Sequence, residues 1–250
     1  MSISFKIISF DSDWRTKRNQ AGGGILLDQG IHMLDMIRTI SGSFNEVFSV
    51  ISNDYWRHDV EDNAYALMKT KTGVVATIHS SATQWRHTFR LEIGLTDGLI
   101  VLRGILSGSQ SYGDEEIIIY EKTSNDVLEK RTFEYTQDNS WRDEIDEFYS
   151  AVTQDKKIVI GSVEEALATM KLVYQIYSAD QNWAAKFDLQ NEEIIEFSFP
   201  SCSPLEPVRL WCRFHGEFFQ YIPPDCRFRQ RRDCFENAQK LLTPLLLSYQ

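Results

Sequence analysis

The strongest constraint on the fold is a run of three glycines that leads at once into a long apolar stretch, residues 21–40. Apolar residues cover most of the helix circumference in this stretch, which is typical of a buried helix. Asp28, His32 and Asp35 are spaced by four and three residues, so a regular α-helix would present them on one face. We predict a buried helix with one ionisable face, ending at residues 41–42, Ser-Gly.

The ionisable face has two interpretations. A buried Asp–His pair is often a satisfied pair within a protein core. Alternatively, His32 is an acid/base group, and Asp28, one turn earlier, fixes the tautomer of its imidazole ring. The glycines lack the G-x-G-x-x-G spacing of a dinucleotide fingerprint. We expect them to let the backbone pass close to another backbone segment or a ligand.

Charge and hydropathy narrow the classes of partner. A net charge of −10 over 250 residues argues against nucleic acid and anionic membrane surfaces. No apolar run is long enough to span a bilayer, and the first residues lack the pattern of a signal peptide. These features predict a cytoplasmic protein.

Composition changes toward the C-terminus, where all six prolines and all four cysteines lie at position 200 or later. We therefore divide the chain into a main domain, residues 1–183, and a divergent, partly irregular tail, residues 184–250. No two cysteines form a C-x-x-C pair. Free thiols are expected, and no metal site is predicted.

Hydrophobic periodicity predicts many consecutive strands followed by helices. Strands are expected over residues 2–10, 45–52, 64–68, 74–87, 89–95, 99–102, 116–122 and 128–135, and helices over 140–152 and 163–179. Residues 11–20 are predicted to be a loop, 187–199 one or two strands, and 234–247 a short helix. This order predicts an α+β fold with a large, mainly antiparallel, open-faced sheet and helices on one face.

Three stretches in the same order resemble the Gfo/Idh/MocA oxidoreductases. Residues 22–35 read GGGILLDQGIHMLD, which is similar to the family signature G-G-G-x-x-x-D-x-G-x-H-x-x-D. The run VEDN at 60–63, before a hairpin with Thr-Gly at 72–73, and the late helix at 162–180 are also similar to the family. The resemblance covers about residues 2–183 and is to the C-terminal domain, without the N-terminal Rossmann domain or its E-K-P lysine.

The resemblance implies NAD(P)-dependent oxidation or reduction of a sugar, inositol or nucleotide-sugar hydroxyl. It implies that His32 is the acid/base residue with Asp28 nearby, and that NAD or NADP is bound mainly by a domain absent from this chain. A separate Rossmann chain is one expected partner, and a homo-oligomer formed through the sheet face is another. The alternatives are a non-catalytic binding or oligomerisation module and a truncated gene fragment.

Substrate contacts in such enzymes come from the loop before the glycines and from the open sheet. By position, the candidates are Trp14, Arg15, Lys17, Gln84, Trp85, Arg86 and His87. Arg15 and Arg86 would pair with a diphosphate if the substrate carries one. The alternative is that these residues form a polar, exposed edge of the sheet.

Overall fold

The structure, a computed structural model, divides into two compact units, Met1–Gln190 and Asn191–Gln250. It describes residues 13–106, 111–123, 127–154, 158 and 161–189, and the backbone of 2–4, 210–214 and 217–221. In the second unit, strands Leu210–Phe214 and Glu217–Tyr221 form an antiparallel pair. The strands predicted beyond residue 189 and the helix predicted over 234–247 lie outside the described residues.

The described part of the first unit contains strands and helices in the following order. The strands are β1 Ser2–Ser4, β2 Phe44–Ser52, β3 Asn63–Thr70, β4 Val75–Ser81, β5 Thr88–Gly94, β6 Gly98–Arg103, β7 Glu115–Lys122 and β8 Leu128–Tyr135. The α-helices are α1 Arg18–Ala21, α2 Ile31–Ser41, α3 Ser140–Gln154, α4 Val163–Ala179 and α5 Gln181–Lys186. A 3₁₀ turn at Trp14–Thr16 precedes α1, and a π-helical turn at Leu26–Gly30 precedes α2.

All eight strands belong to one sheet with the order β2-β3-β4-β1-β5-β6-β7-β8. Neighbouring strands are antiparallel except β1 and β4, which run parallel. Strand β1 therefore joins a three-stranded antiparallel group, β2–β4, to a four-stranded one, β5–β8. The predicted α+β fold with a mainly antiparallel sheet is confirmed.

One face of the sheet supplies the core. Along β3, Ala64, Ala66 and Met68 are buried, whereas Tyr65 and Leu67, which point to the opposite face, are exposed. This period of two is that of a strand with one covered face. The buried residues pack with apolar side chains of α2 and α4, among them Leu34, Ile37, Val173 and Ile176.

Side-chain hydrogen bonds attach α4 and α5 to β2. The Ser49 hydroxyl donates to the Ile176 carbonyl at 2.6 Å, and the Ile51 amide donates to the Asp180 carboxylate at 2.8 Å. Asp180 also caps α5 by accepting from the Trp183 amide at 2.9 Å. One carboxylate thus satisfies backbone donors of both a strand and a helix.

Helix α1 is fixed by a buried arginine that lies among aromatic rings. The Arg18 guanidinium carbon is 4.1 Å from the centroid of Phe187 and 5.9 Å from that of Trp183. Its Nε and Nη1 atoms have no hydrogen-bond partner within the described residues. Cation–π attraction compensates part of the cost of burying this charge.

Helices α2 and α4 are joined by a polar network around Asp35, one of the three ionisable residues noted in the sequence. The Thr169 hydroxyl donates to the Asp35 carboxylate at 2.6 Å, and Arg38 Nη1 donates to Thr169 Oγ1 at 2.6 Å. Arg38 Nη1 also donates to the Glu165 carbonyl at 3.1 Å. Asp35 is therefore engaged in packing two helices together.

Two local predictions were wrong. Residues 14–21 form helical turns rather than a loop, because the Asp13 carboxylate accepts from the Arg15 amide at 3.0 Å and so caps the 3₁₀ turn. Strand β4 ends at Ser81 and does not continue to His87, because the Thr83 amide donates to the Ser81 hydroxyl at 3.2 Å. Local hydrogen bonds thus replace ladder pairing at this point.

No helix within the described ranges is long and apolar enough to cross a membrane.

We predict that Thr169→Val weakens the contact between α2 and α4. Valine keeps the side-chain volume but removes the hydroxyl that bonds Asp35 and Arg38, so the free energy of unfolding should fall by about 1–2 kcal/mol. Urea unfolding measures this loss. Thr153→Val is the matched control, because the Thr153 hydroxyl donates to the Tyr149 carbonyl within the exposed helix α3 and not to another element. Equal effects of the two substitutions would contradict the prediction.

Candidate functional site

The glycines before the π-helical turn are required by close approach to other parts of the fold. A Cβ atom on Gly24 would lie 2.0 Å from the Glu61 carbonyl oxygen, and one on Gly23 would lie 2.4 Å from the Tyr177 hydroxyl. No side chain larger than hydrogen fits at Gly24 without moving the backbone. The expected close passage of the glycines along another backbone segment is confirmed.

A buried carboxylate fixes this turn. Glu61 accepts hydrogen bonds from the Gly24 amide at 2.8 Å, the Leu26 amide at 2.9 Å and the Tyr177 hydroxyl at 2.7 Å. Burial raises the pKa of Glu61, and the three hydrogen bonds oppose that shift. The glutamate of the VEDN run therefore binds the start of the apolar helical stretch and ties it to α4.

The next residue of the run, Asp62, is buried and organises the loop between β2 and β3. Its carboxylate accepts from the Tyr55 amide at 2.9 Å and the Trp56 amide at 3.0 Å. The Asn63 side-chain amide donates to Asp62 at 2.9 Å and to Thr83 Oγ1 at 3.2 Å. The run thus joins the glycine turn, the loop between β2 and β3, and the connection that follows β4.

The helical stretch after the glycines differs from the regular helix that was predicted. Residues Leu26–Gly30 form a π-helical turn, in which each hydrogen bond spans five residues, and α2 begins only at Ile31. A spacing of four residues therefore no longer places Asp28 and His32 on one face. Helix α2 is buried at Met33, Leu34 and Ile37, but the apolar Ile40 is exposed, so the helix is less buried than its composition predicts.

The two predicted acid/base residues occupy different environments. His32 is exposed at the start of α2, and Asp28 is half-buried within the π-helical turn. The Asp28 carboxylate accepts from the Gln29 side-chain amide at 3.3 Å. The structure shows no hydrogen bond between Asp28 and His32, so the expected fixing of the histidine tautomer is absent. The exposed imidazole remains open to a ligand.

Asp28 instead influences Tyr112, a residue that the sequence analysis did not select. Burial raises the pKa of Tyr112 to about 12, and the negative charge of Asp28 adds to the shift. The Tyr112 and His87 ring centroids are 5.3 Å apart with 34° between the planes. His87 Nδ1 also shares a hydrogen bond with Ser111 Oγ. Tyr112 thus connects the π-helical turn to one of the predicted substrate contacts.

An open cleft of about 320 Å³ lies beside this tyrosine, between the start of β5, the end of β6 and the residues that lead into β7. Among the seven predicted substrate contacts, it brings together Arg86 and His87. Its other polar or aromatic lining residues include Arg90, Arg103, Tyr112, Asp114 and Glu116.

The other five predicted contacts do not line this cleft. Trp14 is exposed, with the Arg15 guanidinium carbon 5.1 Å from its ring centroid, and Lys17 is exposed between the 3₁₀ turn and α1. Gln84 and Trp85 are exposed on the connection between β4 and β5. Sequence adjacency therefore grouped residues that the fold separates.

A dinucleotide does not fit the helical turn that the glycines open. A pyrophosphate at such a position needs free backbone amides, but the amides of Gly24 and Leu26 already donate to Glu61. Within the residues that the structure describes, no three His, Cys, Asp or Glu side chains are grouped so as to hold a metal ion. The prediction of free thiols concerns the cysteines of the tail, none of whose side chains the structure describes.

A comparison with protein families agrees with the fold. Residues 4–101 match the model of the GFO/IDH/MocA C-terminal domain. The matched region contains the glycine turn, His32, Glu61 and strands β2–β5. The family resemblance inferred from the sequence is confirmed.

Individual relatives are sugar-metabolising oxidoreductases by name. The chain is 27% identical over 96 residues to 1,5-anhydro-D-fructose reductase of Ensifer adhaerens. The aligned region spans 38% of this chain and 29% of that protein. Its fold is similar to levoglucosan dehydrogenase in complex with NADH and levoglucosan (TM-score 0.60, 17% identity, 72% of this chain and 55% of the other). It is also similar to UDP-N-acetylglucosamine 3-dehydrogenase from Acidithiobacillus ferrooxidans (TM-score 0.57, 16% identity, 73% and 52%).

The matches to the solved structures establish a shared fold. The chain spans about half the length of those structures and less than a third of the curated relative.

We predict that Glu61→Gln destabilises the protein by about 2 kcal/mol. The glutamine NH₂ group is itself a donor and would face one of the groups that donate to the carboxylate in the wild type. The penalty should depend on pH. The folded-state pKa is raised above the ordinary 4.5, so wild-type stability is greatest below that value and falls as the pH rises through the raised pKa. The gap between wild type and variant should therefore shrink as the pH rises.

Urea unfolding at several pH values between about 4 and 8 measures this gap. Glu92→Gln is the control, because Glu92 is exposed on β5 and pairs with Arg90. A penalty that grows with pH would contradict the assignment of a raised pKa.

Proposed function

We propose that this chain is the substrate-binding half of an NAD(P)-dependent oxidoreductase that acts on a hydroxyl of a sugar, an inositol or a nucleotide sugar. The carrying observation is the exposed His32 at the start of α2, directly after a turn that Glu61 fixes within the matched family domain. Proton transfer to a bound ligand requires an imidazole that is accessible and held in a fixed position.

His32 has the role of acid/base residue in this proposal. Oxidation of an alcohol removes a proton from the hydroxyl oxygen, and reduction of a carbonyl adds one there. An imidazole titrates near neutral pH and is therefore suited to both directions. Asp28 lies one short turn earlier, within the π-helical turn at Leu26–Gly30. The imidazole has no hydrogen bond within the described residues that would block access.

The cofactor contacts of this enzyme lie elsewhere in our proposal. Glu61 occupies the amides that a pyrophosphate would need, so the described residues offer no dinucleotide site at the glycine turn. We infer that NAD or NADP is held by further sequence of the same polypeptide or by a separate Rossmann chain. The part played by this chain is to bind the substrate and to move the proton.

The substrate contacts that we propose fall into two groups. Arg86 and His87 line the cleft beside Tyr112. Trp14, Arg15, Lys17, Gln84 and Trp85 lie on two exposed connections outside it. Their aromatic and cationic groups are of the types that pack against sugar rings and bind phosphate oxygens.

We predict that His32→Gln lowers turnover about 100-fold or more, because glutamine cannot carry the proton, while the melting temperature stays unchanged. NAD(P)H absorbance with a panel of sugars and nucleotide sugars measures turnover, in an assembly that contains this chain and its dinucleotide-binding part. His58→Gln is the matched control, since His58 lies in the loop between β2 and β3. Wild-type turnover of His32→Gln would overturn the assignment.

The face of the sheet opposite the core favours self-association. Phe48 and Val50 of β2 stand opposite Leu67 and Tyr65 of β3, and all four side chains are between 44% and 65% exposed. Tyr65 also stacks on His79 of β4, with ring centroids 4.1 Å apart. An exposed apolar patch of this kind is typical of an interface. We propose that two copies of the chain pack through this face.

We predict that Leu67→Glu shifts the assembly toward the monomer, because a carboxylate at the centre of the patch would be buried without a partner. Analytical ultracentrifugation at several concentrations measures the shift. Leu95→Glu is the control, because Leu95 is similarly exposed at 56% but lies at the turn between β5 and β6. A wild-type oligomer in the Leu67 variant would exclude this face as the interface.

A further inference from the structure

We propose that the cleft beside Tyr112 binds a phosphorylated sugar, with Arg86 on the phosphate, Asp114 on the sugar hydroxyls and Tyr112 at its wall. The inference deepens the proposed function, on which it rests for the role of the chain, by naming a substrate class and the residues that select it. It adds two residues, Asp114 and Tyr112, that neither the motif nor the family comparison identifies.

The charges of the cleft are the first argument. Arg103 Nε donates to Glu116 at 2.8 Å, and Arg90 Nε donates to Glu92 at 2.9 Å, so these two cations are already neutralised. The Arg86 guanidinium has no ion-pair or hydrogen-bond partner among the described residues. A guanidinium with all of its donors available in a cleft is suited to bidentate binding of phosphate oxygens.

The second argument is the presence of an acceptor in the same cleft. Asp114 is one of the residues that line it, and the Asp114 carboxylate likewise has no partner among the described residues. An ionised carboxylate only accepts hydrogen bonds, and it repels a phosphate. A ligand that satisfies both groups must present an anion to Arg86 and hydroxyl donors to Asp114. A phosphorylated sugar has both, whereas a simple anion has only one.

The third argument is the aromatic wall. Tyr112 packs against the hydrophobic core on one side, and the hydrogen bond between Ser111 and His87 holds its neighbours in place. Its ring and that of His87 together give the cleft an apolar surface of the kind on which sugar rings rest. Because burial and Asp28 raise the pKa of Tyr112 to about 12, its hydroxyl stays protonated at neutral pH.

The position of Tyr112 links this cleft to the proposed chemistry. The negative charge of Asp28 acts on the tyrosine from the π-helical turn that precedes His32. A ligand anchored at Arg86 would thus extend along Tyr112 toward the turn that precedes His32. Negative charge at Asp28 disfavours phosphate at that end, which fixes the direction of the ligand.

Isothermal titration calorimetry on the full chain tests the proposal without any turnover. The probes are the 1-phosphates of glucose, galactose and N-acetylglucosamine, the corresponding UDP-sugars, the unphosphorylated sugars and inorganic phosphate. We expect at least one sugar phosphate or UDP-sugar to bind about tenfold or more tightly than its unphosphorylated sugar and than inorganic phosphate. Tighter binding of the UDP-sugar than of the matching 1-phosphate identifies a nucleotide sugar, and the reverse order identifies a simple sugar phosphate.

Two substitutions separate the proposed roles. Arg86→Ala should weaken binding of the phosphorylated probe about tenfold or more. Asp114→Asn should weaken binding of the same probe but should not weaken binding of inorganic phosphate, because the carboxylate repels that anion. The controls are Arg131→Ala and Asp143→Asn, which remove exposed charges on β8 and α3 outside the cleft. Unchanged melting temperatures confirm that each variant is folded.

Several results would overturn the inference. They are failure of every phosphorylated probe to bind, equal affinity for phosphorylated and unphosphorylated sugars, and wild-type affinity in Arg86→Ala. These results differ from a failure of the proposed function. If binding depends on Arg86 but turnover does not depend on His32, the cleft is supported and the acid/base role is rejected. If turnover depends on His32 but binding does not depend on Arg86, the acid/base role is supported and the cleft is rejected.

Discussion

The buried carboxylate of Glu61 is the interaction on which the arrangement of the site depends. Burying an isolated ion is costly, and three donors placed between 2.7 and 2.9 Å from its oxygens offset that cost. Two donors are backbone amides at the glycine turn, and the third is the Tyr177 hydroxyl of α4. A single side chain therefore joins segments that are more than 100 residues apart in the sequence.

This arrangement explains why the glycines are not a cofactor cradle. A nucleotide phosphate and the Glu61 carboxylate would compete for the same amides, and the carboxylate belongs to the fold itself. The turn gains a fixed geometry and loses the ability to bind an external anion. His32, which follows the fixed turn but lies on the solvent side of α2, combines a rigid position with access to a ligand.

Much of the fold could be predicted because its signals are local. Alternation along β3 and β5 and the Ser162 cap of α4 depend on neighbouring residues, and the structure contains these elements as expected. The errors arose where side chains bond to the backbone in ways that no periodicity records. Asp13 caps a 3₁₀ turn, and a π-helical turn interrupts the glycine-rich stretch at Leu26–Gly30.

The candidate site was predictable only in part, for a similar reason. His32 and Asp28 stand in a motif whose spacing is visible in the sequence. Tyr112 and Asp114 belong to a segment with no motif, about 80 residues later, and the curvature of the fold brings them beside Arg86 and His87. Only the Arg86–His87 pair was recognised beforehand, because cationic and aromatic residues are adjacent there.

The central place of β1 in the sheet has a consequence for how the chain folds. Residues 2–4 pair with residues 79–81 on one side and with 88–90 on the other. The hairpins on either side can form from contacts that are close in sequence. Pairing of β1 instead closes a loop of more than 70 residues, so β1 has a greater loop-closure cost than the hairpins. Continuity of the sheet is thus expected to arise late, when the first-synthesised residues of this sequence insert between two preassembled halves.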